Sequence, residues 1–161
     1  MNIKNVLLFL ILLSIFCAPE SFAQNAGYSA YCAAVIDGDT IKVEHNGKIE
    51  KIRLYGVDCP ESGQLFGTPA KRKTEQLVYH KTVTIELMDI DRYKRQVAII
   101  TVGNKILQEE LLKEGLTWLY PRYCKAAVCN KWKQLEQEAR QNKIGLWKQK
   151  NAIPPWEWRK K

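Results

Sequence analysis

The chain has 161 residues, 46% of them hydrophobic and 26% charged, with a formal net charge of +8. That length holds about one domain and excludes a long multidomain array, and no internal repeat or low-complexity linker divides it. The basic excess suits a polyanionic partner, nucleic acid or an anionic cell surface, and argues against an acidic binding surface.

Met1 to Asn5 carries one lysine, Lys4, and Val6 to Phe16 is apolar apart from Ser14. Ser21-Phe22-Ala23 then places small residues at the two positions a signal peptidase reads. This predicts a secretory signal peptide over residues 1–23, with an exported product that is periplasmic or secreted. The apolar run is too short for a comfortable membrane span. Cys17 raises a lipoprotein signal, but Phe16 before it is too bulky for one. The mature chain, residues 24–161, is expected to form one domain with a single hydrophobic core.

Four cysteines remain beyond the signal: Cys32, Cys59, Cys124 and Cys129. An even number in an exported chain predicts disulfides. Cys124 and Cys129 lie close together in a loop ahead of a helix and are the favoured pair. Cys32 with Cys59 would then follow by elimination, a pairing the sequence leaves open.

Tyr28 to Ile36 reads as a strand. Thr40 to His45 alternates, with Ile41 and Val43 on one face and Lys42 and Glu44 on the other. Asn46-Gly47 is a two-residue hairpin signal, since both positions tolerate positive φ. Lys48 to Tyr55 returns as the third strand, Ile52 and Leu54 inward and Arg53 outward. Gly63 to Thr68 is loop, and Pro69 opens a helix to about His80 with Ala70, Thr74, Leu77 and Val78 inside. Val83, Ile85 and Leu87 mark a fourth strand, Asp91 to Arg95 a polar turn, and Val97 to Val102 a fifth strand. Leu107 to Glu114 is a helix closed by Gly115. Lys131 to Asn142 is an amphipathic helix carrying Trp132, Leu135 and Ala139. Five short strands with a helix between the third and fourth is the order of an OB-fold barrel, an α+β, mainly β class, here with about three helices.

Three clusters carry chemistry: Asp37-Gly38-Asp39-Thr40, Arg53 to Glu61, and Asp91-Arg92-Tyr93-Lys94-Arg95. Singly they are an ordinary turn, a loop opener and a hairpin tip. Together they match the needs of phosphodiester hydrolysis. Asp39 and Asp58 offer hard oxygen ligands for a divalent cation. Glu61, three residues past Asp58, is near enough to hold a water beside the metal. Arg53 and Arg95 are permanent cations with forks suited to phosphate oxygens.

These runs, in this order and spacing, resemble the staphylococcal nuclease family over roughly residues 30–147, and Glu114-Gly115-Leu116 and Gly145-Leu146-Trp147 fit as well. The resemblance implies a calcium-dependent endonuclease of DNA and RNA that leaves 3′-phosphate ends. It implies calcium held by Asp39, Asp58 and the Cys59 carbonyl, with Asp37 and Thr40 beside it. Glu61 is implied as the general base, Arg53 and Arg95 as transition-state cations, and Tyr93 as a phosphate contact; Lys94 and Tyr123, where this chain departs from the family pattern, are expected as further substrate contacts. Cys59 stands where the best-known member has threonine, and Lys94 and Gln96 stand where it has glycines. The Trp-rich tail, residues 153–159, is unlike that member; its tryptophans are expected to pack on the barrel, and whether Arg159, Lys160 and Lys161 support substrate stays open. A non-catalytic nucleic-acid-binding module of the same fold is the competing reading. No exposed heptad or dimer face is evident, which points to a monomer.

Overall fold

The structure is a computed structural model that describes residues 27–160. The expected signal peptide lies outside the described residues. Five strands form the barrel wall: β1 (Tyr28–Val35), β2 (Thr40–His45), β3 (Lys48–Leu54), β5 (Thr82–Ile90) and β6 (Gln96–Val102), with the short β4 (Val57–Asp58) leaving β3. The antiparallel order is β3-β2-β1-β5-β6, and a parallel β3–β6 pairing closes it, Arg53 lying opposite Val97 and Leu54 opposite Ala98. Closure removes both sheet edges. Alternation sends Ile41, Val43, Ile52, Leu54, Val83, Ile85, Ala98 and Ile100 into one buried core. The Asn46-Gly47 turn takes positive φ at both residues, as a two-residue hairpin requires.

Helix α1 (Gly67–Val78) lies between the third and fourth barrel strands in chain order and buries Ala70, Thr74, Leu77 and Val78, the face expected of it. It starts two residues ahead of Pro69, inside the stretch expected to be loop. A two-residue strand, β7 (Lys105–Ile106), precedes α2 (Leu107–Lys113), which is followed by Gly115 at a φ of +59°. Another two-residue strand, β8 (Trp118–Leu119), pairs with β4 and sets Asp58 opposite Trp118. Helix α3 (Val128–Gln141) begins three residues earlier than expected and buries Trp132 and Ala139. A 3₁₀ turn (Gly145–Lys148) and a single-turn helix, α4 (Pro155–Trp158), complete the chain. The fourth helix was not legible because one turn is too short to show a period.

The Cys124–Cys129 disulfide is present. It closes the loop into α3, where the Tyr55 hydroxyl also accepts bonds from the Lys125 and Ala126 N–H groups. Cys32 and Cys59 are not joined: both are buried free thiols. Cys32 faces the barrel interior and donates weakly to the Ala34 carbonyl, whereas Cys59 packs against Gly38. Burial pushes the Cys32 thiol up to about 11 and the Cys59 thiol well above its ordinary value, so neither is a ready thiolate.

Candidate active site

The turn between β1 and β2 fixes the first candidate ligand. The Asp37 carboxylate accepts the Asp39 N–H at 3.0 Å, and the Gly38 carbonyl accepts the buried Thr74 hydroxyl of α1 at 2.7 Å. A side chain at position 38 has no room, because a Cβ there would stand 2.7 Å from that of Cys59 and 2.9 Å from that of Ala70. Clamped in this way, the turn buries Asp39. Its Oδ2 accepts the Cys59 N–H at 2.5 Å, and its Oδ1 accepts the Thr40 hydroxyl at 3.3 Å. Thr74→Val should therefore strand the Gly38 carbonyl and cost about 1–3 kcal/mol. Urea unfolding of Thr74→Val beside Thr74→Ser checks this, since the serine keeps the hydroxyl and should lose much less.

Arg53 leaves the outer face of β3 opposite Thr40. Its fork spans two carboxylates, Nη1 on Asp39 Oδ1 at 2.9 Å and Nη2 on Asp58 Oδ1 at 2.7 Å. Burial works against the Arg53 charge, but Asp39 and Asp58 outweigh it and hold the guanidinium above its ordinary pKa. Burial pushes the Asp39 carboxyl up to about 7; Arg53 opposes the shift, while Asp37 and Asp58 add to it.

A pH dependence follows for the metal-free protein. Asp39 binds its proton more tightly folded than unfolded, where it titrates near 3.8. Its contribution to stability is full below that value and is lost as pH rises through about 7. Thermal unfolding in chelator should show this group destabilising the fold between about pH 4 and 7, and Asp39→Asn should flatten that part of the profile. A variant profile parallel to the parent's would rule out the shift.

This crowding also describes what would fit between the carboxylates. Asp39 and Asp58 bring buried oxygens to one guanidinium, and the charge of Asp58 adds to the upward push on the Asp39 carboxyl, a cost that a hard divalent cation would relieve. Among the described residues no three His, Cys, Asp or Glu side chains converge into a metal-holding group. Two buried carboxylates fit an open oxygen site and do not fit a closed Cys/His centre.

Glu61 stands beside this pair, reached through a tight turn in which its carbonyl accepts the Gln64 N–H and its own N–H meets the Gln64 side chain. Gly67 packs so closely on the Glu61 carbonyl that a Cβ there would collide with it. The Glu61 carboxylate is ion-paired with Arg159 at 2.6 Å, and Arg159 also holds Asp58 Oδ2 at 2.8 Å. Arg159 had no place in the expected site; the basic end of the tail was visible in sequence, its destination was not.

Arg95 is not drawn into this cluster. Its Nε is paired with Asp91 Oδ2 at 2.6 Å, and Asp91 Oδ1 caps the turn by accepting the N–H groups of Tyr93 and Arg95. Although burial opposes it, these bonds hold Asp91 below the usual carboxylate range. The register still puts Arg95 two residues before Val97, the partner of Arg53, so both arginines share one face of the barrel. Tyr93 is exposed at the turn between Arg92 and Arg95, Lys94 beside it takes a φ of +62°, and Tyr123 is exposed with Arg122 over its ring. Trp118 is core: it packs edge-on against Trp147 and Trp156. Trp156 stacks on Tyr120 at 4.6 Å and closes one of its faces to a base. Of the basic run on α1, Lys71 is paired with Glu75 and Lys73 with Glu114, as on a solvated helix face.

Comparison with known proteins bears on the family. The family described as Staphylococcal nuclease homologue matches residues 51–149. Micrococcal nuclease of Shigella flexneri is 31% identical over 144 residues, covering 84% of this chain and 82% of the relative. An endonuclease of Haemophilus influenzae is 34% identical over 127 residues, 78% of this chain and 70% of the relative. Staphylococcal-like nuclease CAN1 of Arabidopsis thaliana is 43% identical over 110 residues, 68% of this chain. The chain spans only about a third of the length of such plant relatives, 32% and 33% in two cases. With a barrel of the expected topology and a family match over most of its length, the chain belongs to the staphylococcal nuclease family.

Proposed function

We propose that this member of a family of hydrolytic nucleases is an exported, calcium-dependent endonuclease cutting phosphodiester bonds of DNA, RNA or both. The observation that carries the reading is the Asp39–Arg53–Asp58 arrangement with Glu61 beside it. A binding module needs no buried carboxylate pair sharing one guanidinium next to a half-exposed glutamate. Export is supported by the sequence of residues 1–23 and by the Cys124–Cys129 disulfide, which suits an oxidising compartment.

Asp39, Asp58 and the Cys59 carbonyl would hold calcium. Bound there, the ion supplies positive charge to a phosphoryl oxygen and acidifies water. Glu61 takes the proton from the attacking water as its oxygen bonds to phosphorus. The bond from phosphorus to the 5′ oxygen breaks, and that oxygen leaves with a solvent proton, giving a 3′-phosphate and a 5′-hydroxyl. Arg53 lies where charge builds on the phosphorane. Arg95 joins it when phosphate displaces Asp91 from its fork. Tyr93, Lys94 and Tyr123 line the approach as substrate contacts.

The test is end-group analysis of products from a labelled single-stranded oligonucleotide incubated with calcium. The reading expects 3′ ends that a phosphatase can trim. Products with 3′-hydroxyl ends would contradict the proposed direction of cleavage.

A further inference from the structure

The C-terminal segment is built into the site. Gln64, in the Glu61 turn, donates its amide to the Ile153 carbonyl at 2.5 Å. Pro155 is buried, and Trp156 stacks on Tyr120 with rings 12° apart while presenting an edge to Trp118. Trp118 is paired with Asp58 through the β4–β8 ladder, so one rigid unit carries both the tail and a candidate metal ligand. The Arg159 N–H continues the turn of α4 by bonding the Pro155 carbonyl.

From this anchored base the guanidinium reaches two carboxylates at once. Nη1 donates to Glu61 Oε1 at 2.6 Å and to Asp58 Oδ1 at 3.3 Å, and Nη2 donates to Asp58 Oδ2 at 2.8 Å. Bonds to Asp58, then to Glu61, raise the Arg159 pKa against partial desolvation, so the cation is permanent. Among the described residues Arg159 is the hydrogen-bond partner recorded for the Glu61 carboxylate, and it engages Oε1. A glutamate that is half exposed and lacks this contact samples several rotamers. The rigid fork, fixed by Asp58 on its other arm, removes that freedom.

The geometry points to Arg159 as a positioning residue: delivered by the tail, it locks Glu61 Oε1 beside Asp58 and leaves Oε2 to face water. This rests on Glu61 being the base. It predicts that Arg159 acts through Glu61, so the two residues are energetically one unit.

The experiment is a double-mutant cycle on single-stranded DNA at saturating calcium, with R159A, E61Q, both together, and R159K and W156A alongside. Terbium luminescence titration reads metal binding independently of turnover. R159A should lower kcat about 10²-fold, the order expected from a misplaced catalytic group, with KM little changed. In the E61Q background the same change should cost less than about 2-fold. R159K should recover part of the rate, W156A should lose rate because it frees the tail, and terbium should bind R159A as well as or better than the parent. A parental kcat in R159A or W156A, losses that multiply in the double variant, or terbium affinity that falls together with kcat would each overturn the inference. A parent protein that cuts normally beside an unimpaired R159A removes Arg159 alone; a parent that never cuts removes the Glu61 reading and this inference with it.

Discussion

Glu61→Gln should lower kcat by ~10²–10⁴-fold, the usual contribution of a positioned general base. The substitution keeps the shape of the side chain and an oxygen that can still accept from Arg159, and it removes the capacity to take a proton. Glu61 is about 41% exposed in its side chain, so the loss of its ion pair should change stability little. The rate effect and the fold are thereby separable. Single-turnover cleavage beside thermal unfolding makes the measurement, and a variant within a few-fold of the parent would remove Glu61 from the role of base.

Arg53→Ala should have the largest combined effect. In the metal-free protein it leaves the buried Asp39 without its cation and Asp58 with Arg159 alone. Breaking a buried pair in this way costs about 3–5 kcal/mol. Calcium would supply the missing charge, so the destabilisation should be larger in chelator than in calcium. The rate should fall by at least ~10²-fold even where calcium restores the fold, because Arg95 alone cannot supply both of the cations proposed at the phosphorane. Arg53→Lys should not rescue either property well, since one ammonium cannot reproduce a fork that meets Asp39 and Asp58 on separate nitrogens. Urea titrations in both conditions test the first part; equal losses with and without calcium would contradict the shared-cation account.

Much of the fold was legible because its elements are long enough to show a period. Thr40 to His45 alternates over six residues and is a strand over that same range. The buried face of α1 follows from the spacing of Ala70, Thr74, Leu77 and Val78. The parallel closure of β3 on β6 was not legible, because a long-range pairing leaves no local pattern in either strand. The β4–β8 ladder is two residues on each side, below what alternation can reveal. Elimination failed for Cys32 and Cys59 because an even count says nothing about which layer of the barrel each thiol occupies.

The site divides along the same line. Asp39, Arg53, Asp58 and Glu61 could be grouped from sequence because three of them lie within one nine-residue run leaving β3 and the fourth in a tight turn. Arg95 belongs to the same face but spends its fork on Asp91, a local pairing four residues away that chain order alone does not weigh against a distant phosphate. Arg159 is 98 residues from Glu61 in sequence, and only the packing of Trp156 on Tyr120 brings it back. The candidate catalytic groups cluster on short motifs, whereas Arg159, proposed to orient one of them, arrives from elsewhere in the chain.

The most direct test of the central claim is a time course of single-stranded DNA with the purified protein in calcium, followed by addition of chelator. The account predicts steady cutting that stops when the ion is withdrawn. Tight binding of the DNA with no cutting in calcium or any other divalent metal would contradict it and leave a non-catalytic binding module in its place.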